Sequence, residues 1–330
     1  MSKIDLTLAC MDYDRTRALI DGRVRPEGID LNYLSLPVEE IFFRMLRGGE
    51  FDAAEMSLSS YCMLLARGTP EFVALPIFTS RCFRHGCIFV SAKSSIETPQ
   101  QLAGKKIGIP EYQMTAPVWI RGMLADEYGV DPASPSYFTG GQEETGRTEK
   151  LKLDLPARIK VTPIGATQTL SRMLLEGEID ALYSARVPSS FYSHPDEVRR
   201  LFSDPMSTEQ DYFLRTDIFP IMHVVVLRRS LYERHRWIAQ SLCKAFVEAQ
   251  RLAYAALLVN ASLATMLPWQ IIQVEDVMAL MDAEWWPYGV DRNRHVIETF
   301  LRYHHEQGLS KRLLTPEDLF APETFETFKI

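Results

Sequence analysis

At 330 residues, with 46% hydrophobic and 24% charged residues, the chain is long enough for two lobes and ordinary in composition for a soluble globular protein. A formal charge of −7 with no basic stripe argues against a nucleic-acid partner, and no stretch approaches the roughly 18 apolar residues of a membrane span. Five cysteines, odd in number and without a CxxC pair, argue against a disulfide framework and read as buried thiols.

The start, MSKIDLTLACMDYDRTR, is interrupted by Asp5, Asp12 and Asp14 and lacks the apolar run of a secretory leader, so a cytoplasmic protein is expected. KIDLTLAC reads as a strand, DYDRTRALIDG as a short helix and GIDLNYLSL as a second strand. VEEIFFRMLRGGE is helical, with Ile41, Phe42, Met45 and Leu46 on one face and Gly48-Gly49 stopping it. FDAAEMS, EFVALPIF and GCIFVSA are further strands, with the helix LSSYCMLLARG between the first two. The rhythm is that of a parallel α/β sheet.

A second cycle begins near Ser95. TPQQLAGKKIGIP gives a capped turn and a strand, and a helix follows over Ala116 to Tyr128. TGGQEETGRTEKLKLDLP is polar and reads as a long loop or hairpin. IKVTPIG is a strand, TQTLSRMLLEGE a helix with Leu170, Met173 and Leu174 inward, and IDALYSA the next strand. IFPIMHVVVLRR is a buried strand that returns to the first lobe. The remainder is mainly helical, with Ile238, Leu242, Ala245, Ala249 and Leu252 on one apolar face. The expected organisation is lobe 1 over residues 1–92 and 218–330, including the helical tail, and lobe 2 over 93–217. Two α/β lobes joined by two crossovers leave a cleft at the strand ends, where ligands bind.

Arg15, Arg81, Arg84 and Arg186 follow strands of both lobes and are expected at that cleft. A guanidinium fork binds a carboxylate through two parallel hydrogen bonds, so such a set points to an acidic ligand. The turn PEYQMTA adds the Thr115 hydroxyl and the N–H groups opening a helix, which read equally as an anion cradle or a plain cap. Gly165, Ala166 and Thr167 repeat that strand-turn-helix pattern. His85 shares the arginine-rich turn TSRCFRHG, and His223 sits inside PIMHVVVL; an imidazole titrating near neutrality suits proton transfer, although a histidine on an apolar strand is more often a satisfied core residue. His194, His235, His295, His304 and His305 are expected on the surface. No HExxH, EF-hand loop, Gly-rich phosphate loop, GxSxG elbow or GxGxxG is present. Trp285 and Trp286 read as packing residues.

LAGKKIGIP with its following turn and helix, and MLLEGEIDALYSA, resemble type II periplasmic solute-binding proteins and imply their two-lobed fold. GIPEYQMTAPVWIRGML, EIDALYSARVPSSF, DIFPIMHVVVLRR, EWWPYGVDRN and QGLSKRLLTPEDLFAP look like the 4,5-dihydroxyphthalate decarboxylase family, over nearly the whole chain. The resemblance implies loss of one carboxylate from a dihydroxylated phthalate, leaving protocatechuate and carbon dioxide. A ring hydroxyl para to the departing carboxylate supplies the electrons, so no cofactor is expected, and a divalent metal on the catechol oxygens has no motif behind it. Two or three of Arg15, Arg81, Arg84 and Arg186, with Thr115, would hold the retained carboxylate. His85 or His223 would deliver the proton, and the other histidine or Glu111 would accept the catechol proton. The partner is then a small aromatic dicarboxylate, with no nucleic acid and no membrane; a homodimer is a general prior only. Two alternatives stand beside this: a non-enzymatic solute receptor for a carboxylate, and the histidine-consuming pyrimidine-synthesising enzyme, whose cysteine-rich motif is missing.

Overall fold

A computed structural model of the chain describes residues 3–68 and 71–325. Eleven strands form two sheets among these residues. The first sheet contains β1 (Ile4–Cys10), β2 (Ile29–Ser35), β3 (Ala53–Ser57), β4 (Phe72–Arg81) and β11 (Ile221–Arg228), in the order β2-β1-β3-β11-β4. The second contains β5 (Ile88–Ser91), β6 (Lys106–Ile109), β7 (Ser136–Thr139), β8 (Lys160–Pro163), β9 (Ala181–Tyr183) and β10 (Val198–Arg200), in the order β10-β5-β9-β6-β7-β8. Neither sheet is purely parallel as expected: the returning strand β11 runs antiparallel to β3 and β4, and β5 runs antiparallel to β9 and β10. A chain that leaves a lobe and comes back re-enters its sheet against the local direction.

The first crossover passes through residues 82–87, so Ile88–Ser91, expected at the end of lobe 1, belongs to the second sheet. The helical tail also departs from the expected division. The helix Trp237–Leu257 stays with the first sheet, burying Ile238, Leu242, Ala245 and Ala249. The helix Arg294–Glu306 instead packs on Thr115–Tyr128 of the second lobe, setting Phe300 and Tyr303 5.3 and 5.7 Å from the Trp119 ring. Gly122 makes this approach possible, because a Cβ there would sit 2.0 Å from Tyr303 Cδ2. Trp119 in turn donates to the carbonyl of Ile221 on β11, 2.8 Å away. One apolar core consequently runs through both lobes and the tail.

Residues 140–155 carry no helix or strand, as the polar composition indicates. This loop folds back toward the first lobe, where Arg147 and Lys150 meet Glu39 on the helix Val38–Gly48. His304, expected on the surface, is fully buried, because its helix is sandwiched between the start of the helix Leu58–Ala66 and the tail: Nε2 lies 3.2 Å from the Ser59 carbonyl and Nδ1 3.1 Å from Ser310 Oγ.

Candidate active site

A cavity of about 230 Å³ lies between the two sheets. Its walls come from the carboxyl ends of strands: Met11 and Tyr13 after β1, Ser57 and Ser60 at and after β3, Ser80 and Arg84 at and after β4, Glu111 and Gln113 to Ala116 after β6, and Ala185 and Arg186 after β9. This is where an open α/β sheet binds its ligands. Strand β11 adds Met222 and His223, and Val38–Gly48 adds Val38, Glu39 and Phe42.

His223 is placed by sheet register. It pairs with Ser57 on β3, which puts Glu55, two residues back on the same face, at its diagonal. His223 Nδ1 and Glu55 Oε1 are 2.7 Å apart, and Phe42 meets the imidazole edge-on at 4.9 Å. The ring's other nitrogen, Nε2, has no protein partner among the described residues. Glu55 is completely buried and also receives hydrogen bonds from Tyr13 (2.8 Å), Thr79 (3.0 Å) and the Met11 N–H (3.2 Å). Burial pushes its carboxyl up, yet His223, Tyr13 and the Met11 amide more than offset this and hold it below the usual range. A buried anion that fixes Nδ1 of an imidazole and leaves Nε2 facing a cavity is an acid–base arrangement. Sequence reasoning missed Glu55. The signal was a lone carboxylate inside the apolar strand AAEMS, which has to find a partner when buried.

The four expected arginines separate. Arg84 lines the cavity and is 7% exposed, yet its guanidinium finds only sulfur, Met222 Sδ at 3.3 Å and Cys87 Sγ at 3.6 Å. Arg186 also lines the cavity, on its exposed side; its guanidinium makes no hydrogen bond among the described residues and acts on Glu39 only through space. Arg15 does not line the cavity: its fork is spent on the Thr79 carbonyl (Nε, 2.8 Å) and the Asp14 carboxylate (Nη1, 3.0 Å) and lies between the rings of Tyr13 and Trp286. Arg81 is likewise consumed, donating to the carbonyls of Phe219 (2.9 Å) and Pro287 (2.8 Å) and to the Asn293 side chain. Both tie irregular backbone to the first sheet.

His85 is not in the cavity. It is buried with its ring edge-on to Phe202 and Tyr212, and burial pulls its pKa down to about 4, which removes it from proton transfer near neutrality. Glu111 does border the cavity but has no oxygen to offer: Arg147 (2.6 Å) and Lys150 (2.5 Å) hold Oε1, and Gln113 Nε2 (3.0 Å) and the Lys150 N–H (3.1 Å) hold Oε2. Thr115 lines the cavity, and its Oγ1 bridges the lobes, 2.9 Å from Ser57 Oγ and accepting from the Ser59 N–H at 3.1 Å. The backbone cradle of PEYQMTA is filled from within, since Glu149 Oε1 accepts the Tyr112 N–H at 2.5 Å. Gly165 caps against Gln168 and stands away from the cavity. Trp286 packs, donating to the Phe78 carbonyl at 2.7 Å. Among the described residues no group of three His, Cys, Asp or Glu is gathered to hold a metal ion, and no helix is long and apolar enough to cross a membrane.

No family model matches the chain. It is 40% identical over its full length, and the relative's full length, to a 4,5-dihydroxyphthalate decarboxylase of Comamonas testosteroni. The chain belongs to the 4,5-dihydroxyphthalate decarboxylase family. It is a carboxy-lyase, and the receptor and pyrimidine-synthesis alternatives fall away. A second decarboxylase of that name, from Pseudomonas putida, is 42% identical over 64% of this chain and 83% of the relative. Among solved structures, the periplasmic aliphatic sulphonate binding protein SsuA of Escherichia coli matches with a TM-score of 0.53 and 12% identity, over 100% of this chain and 96% of that one. The alkanesulfonate-binding SsuA of Xanthomonas axonopodis pv. citri, bound to MOPS, matches with a TM-score of 0.51 and 12% identity, over 98% of each chain. These likenesses establish the two-lobed fold of type II periplasmic binding proteins; the decarboxylase family carries that fold here.

Proposed function

We propose that this member converts 4,5-dihydroxyphthalate to protocatechuate and carbon dioxide, with His223 as the proton donor and Glu55 as its fixed anion. Arg84 holds the carboxylate that stays, and Arg186 attracts the diacid from the exposed side. The observation that carries this reading is the placement, in one cavity, of a buried guanidinium without an oxygen partner and an imidazole backed by a buried carboxylate. Electrons from the hydroxyl para to the departing carboxylate flow to the ring carbon that bears it. That carbon takes the proton of His223 Nε2, the bond to the carboxylate carbon breaks, and its electron pair restores the aromatic ring as carbon dioxide leaves. Glu55 keeps its charge throughout and stabilises the imidazolium before transfer. Clamping the departing carboxylate as firmly would favour the ground state, because its charge vanishes on product formation.

On this reading the ring supplies its own electron sink and the reaction needs no cofactor. We propose that the enzyme works in the cytoplasm; the five unpaired cysteines among the described residues suit a reducing compartment. The test is chelator-treated protein incubated with 4,5-dihydroxyphthalate, following protocatechuate by chromatography. His223→Asn should reduce turnover about 10²- to 10⁴-fold while binding of the diacid changes little. Unchanged turnover would remove His223 from the proton transfer.

A further inference from the structure

We propose that Glu39 is the specificity-determining residue for a hydroxylated ring, accepting a hydrogen bond from a ring hydroxyl through Oε1. The inference rests on the aromatic substrate proposed above. Two carboxylates, Glu39 and Glu111, line the cavity, and Glu55 stands behind its wall under His223; Glu149 also has a free oxygen, but that oxygen is buried and the residue does not line the cavity. Glu55 is saturated by His223, Tyr13, Thr79 and the Met11 amide. Glu111 is saturated by Arg147, Lys150 and Gln113. Glu39 differs. Its Oε2 takes Arg147 at 3.0 Å and Lys150 at 2.8 Å, while Oε1 has no partner among the described residues and the side chain is 33% exposed.

The two cations that hold Oε2 keep Glu39 an acceptor. Burial pushes its carboxyl up, but Lys150 and Arg147, with Arg186 across the cavity, overcome this and hold it below the usual range. An ionised carboxylate has no proton to donate and only lone pairs to offer. Oε1 therefore attracts an O–H and repels a carboxylate, the opposite preference to that of Arg84. The position also fits the acid. Glu39 and Phe42 are three residues apart on one helical face, and the Phe42 ring meets His223, so acceptor and proton donor share a wall. A phenol that donates to an anion releases more electron density into its ring, to the carbon para to it. The residue that selects the hydroxyl thus also assists departure of the carboxylate.

The test separates hydroxyl recognition from fastening of the 140–155 loop. Calorimetric dissociation constants are measured for protocatechuate, which has ring hydroxyls, and benzoate, which has none, on the wild type, Glu39→Gln and Arg147→Gln. In Glu39→Gln the preference for protocatechuate over benzoate should fall about 10-fold or more, with benzoate bound equally or more tightly. Arg147→Gln, which disturbs the same ion pairs without touching Oε1, should keep the preference. Parallel weakening of both ligands in Glu39→Gln would make the residue a fastener and overturn the inference, as would an unchanged ratio. Wild-type turnover of 4,5-dihydroxyphthalate is assayed alongside: its absence defeats the proposed reaction, whereas the ligand ratio reports on Glu39 by itself.

Discussion

Arg15, Arg81 and Arg84 look alike in the sequence and differ in who satisfies the guanidinium. Arg81 donates to two backbone carbonyls and an amide oxygen, and Arg15, lying between two rings, to the Thr79 carbonyl and the Asp14 carboxylate, whereas Arg84 donates only to thioether and thiol sulfur. Sulfur is a weak acceptor and Glu209 acts on Arg84 only through space, so its fork lacks an oxygen acceptor that a ligand carboxylate would supply. Arg84→Lys removes the fork and keeps the charge; KM for the diacid should rise about 10- to 100-fold while the urea midpoint scarcely moves. Arg81→Lys should do the reverse, costing about 3 kcal/mol of stability with KM retained. Urea titration and steady-state kinetics on the pair decide between these, and a raised KM in Arg81→Lys would return that residue to the site. Position after a strand was legible in the sequence. Which guanidinium has its hydrogen bonds already spent was not, because Phe219, Pro287 and Asn293 reach Arg81 from far along the chain. The same distance hid Glu55, whose histidine partner is 168 residues away.

At the scale of elements, local pattern served well and long-range pairing did not. The strand β11 and the helix Thr115–Tyr128 stand where alternation and apolar spacing place them. The short strands β7 and β10, four and three residues long and mixed in polarity, carry no strand pattern in the sequence. Also hidden was the docking of Arg294–Glu306 across the lobes, which depends on one missing side chain. Tyr303 cannot swing aside for a Cβ at Gly122, since it is buried and its hydroxyl donates to Asp126 at 2.6 Å. Gly122→Ala gains helix propensity but forces the two helices apart; a net loss of about 1–3 kcal/mol is expected in denaturant titrations. The consequence for function is indirect. The helix that moves begins at Thr115, so the hydroxyl bridge to Ser57 would lengthen and KM should rise with the loss of stability. A stabilised Gly122→Ala protein would show that the helices do not meet at that residue.

Across the whole molecule, the tail welds the two lobes through buried groups that resist protonation. His304 lies where the lobe-bridging helix meets the start of Leu58–Ala66, accepts or donates at both ring nitrogens, and is brought down to about 3 by burial. His85, under Phe202 and Tyr212, is brought down to about 4 by the same cause. An unfolded histidine binds its proton near pH 6.5, so below that pH the unfolded chain takes up protons that these folded residues refuse. Stability is therefore fully present above about pH 6.5 and is lost as the pH falls toward the folded values, by about 1.4 kcal/mol per pH unit for each residue. Glu149 acts in the opposite direction between about pH 7 and 4.5: burial raises its carboxyl to about 7, so the folded state holds a proton that the unfolded chain has released. Glu209, whose carboxyl is likewise raised by burial, opposes the histidines in the same way, so one contribution has to be separated from the rest by a variant. His304→Gln isolates one contribution. The variant should be destabilised at pH 7.5, and its deficit relative to wild type should shrink by about 1.4 kcal/mol per unit below pH 6.5, as the wild type alone loses the histidine's contribution. Urea midpoints at pH 7.5, 6.0 and 5.0 measure the difference; a deficit constant across the three would mean that His304 titrates alike in folded and unfolded chains, and that the joint between the lobes is not the acid-sensitive point of the fold.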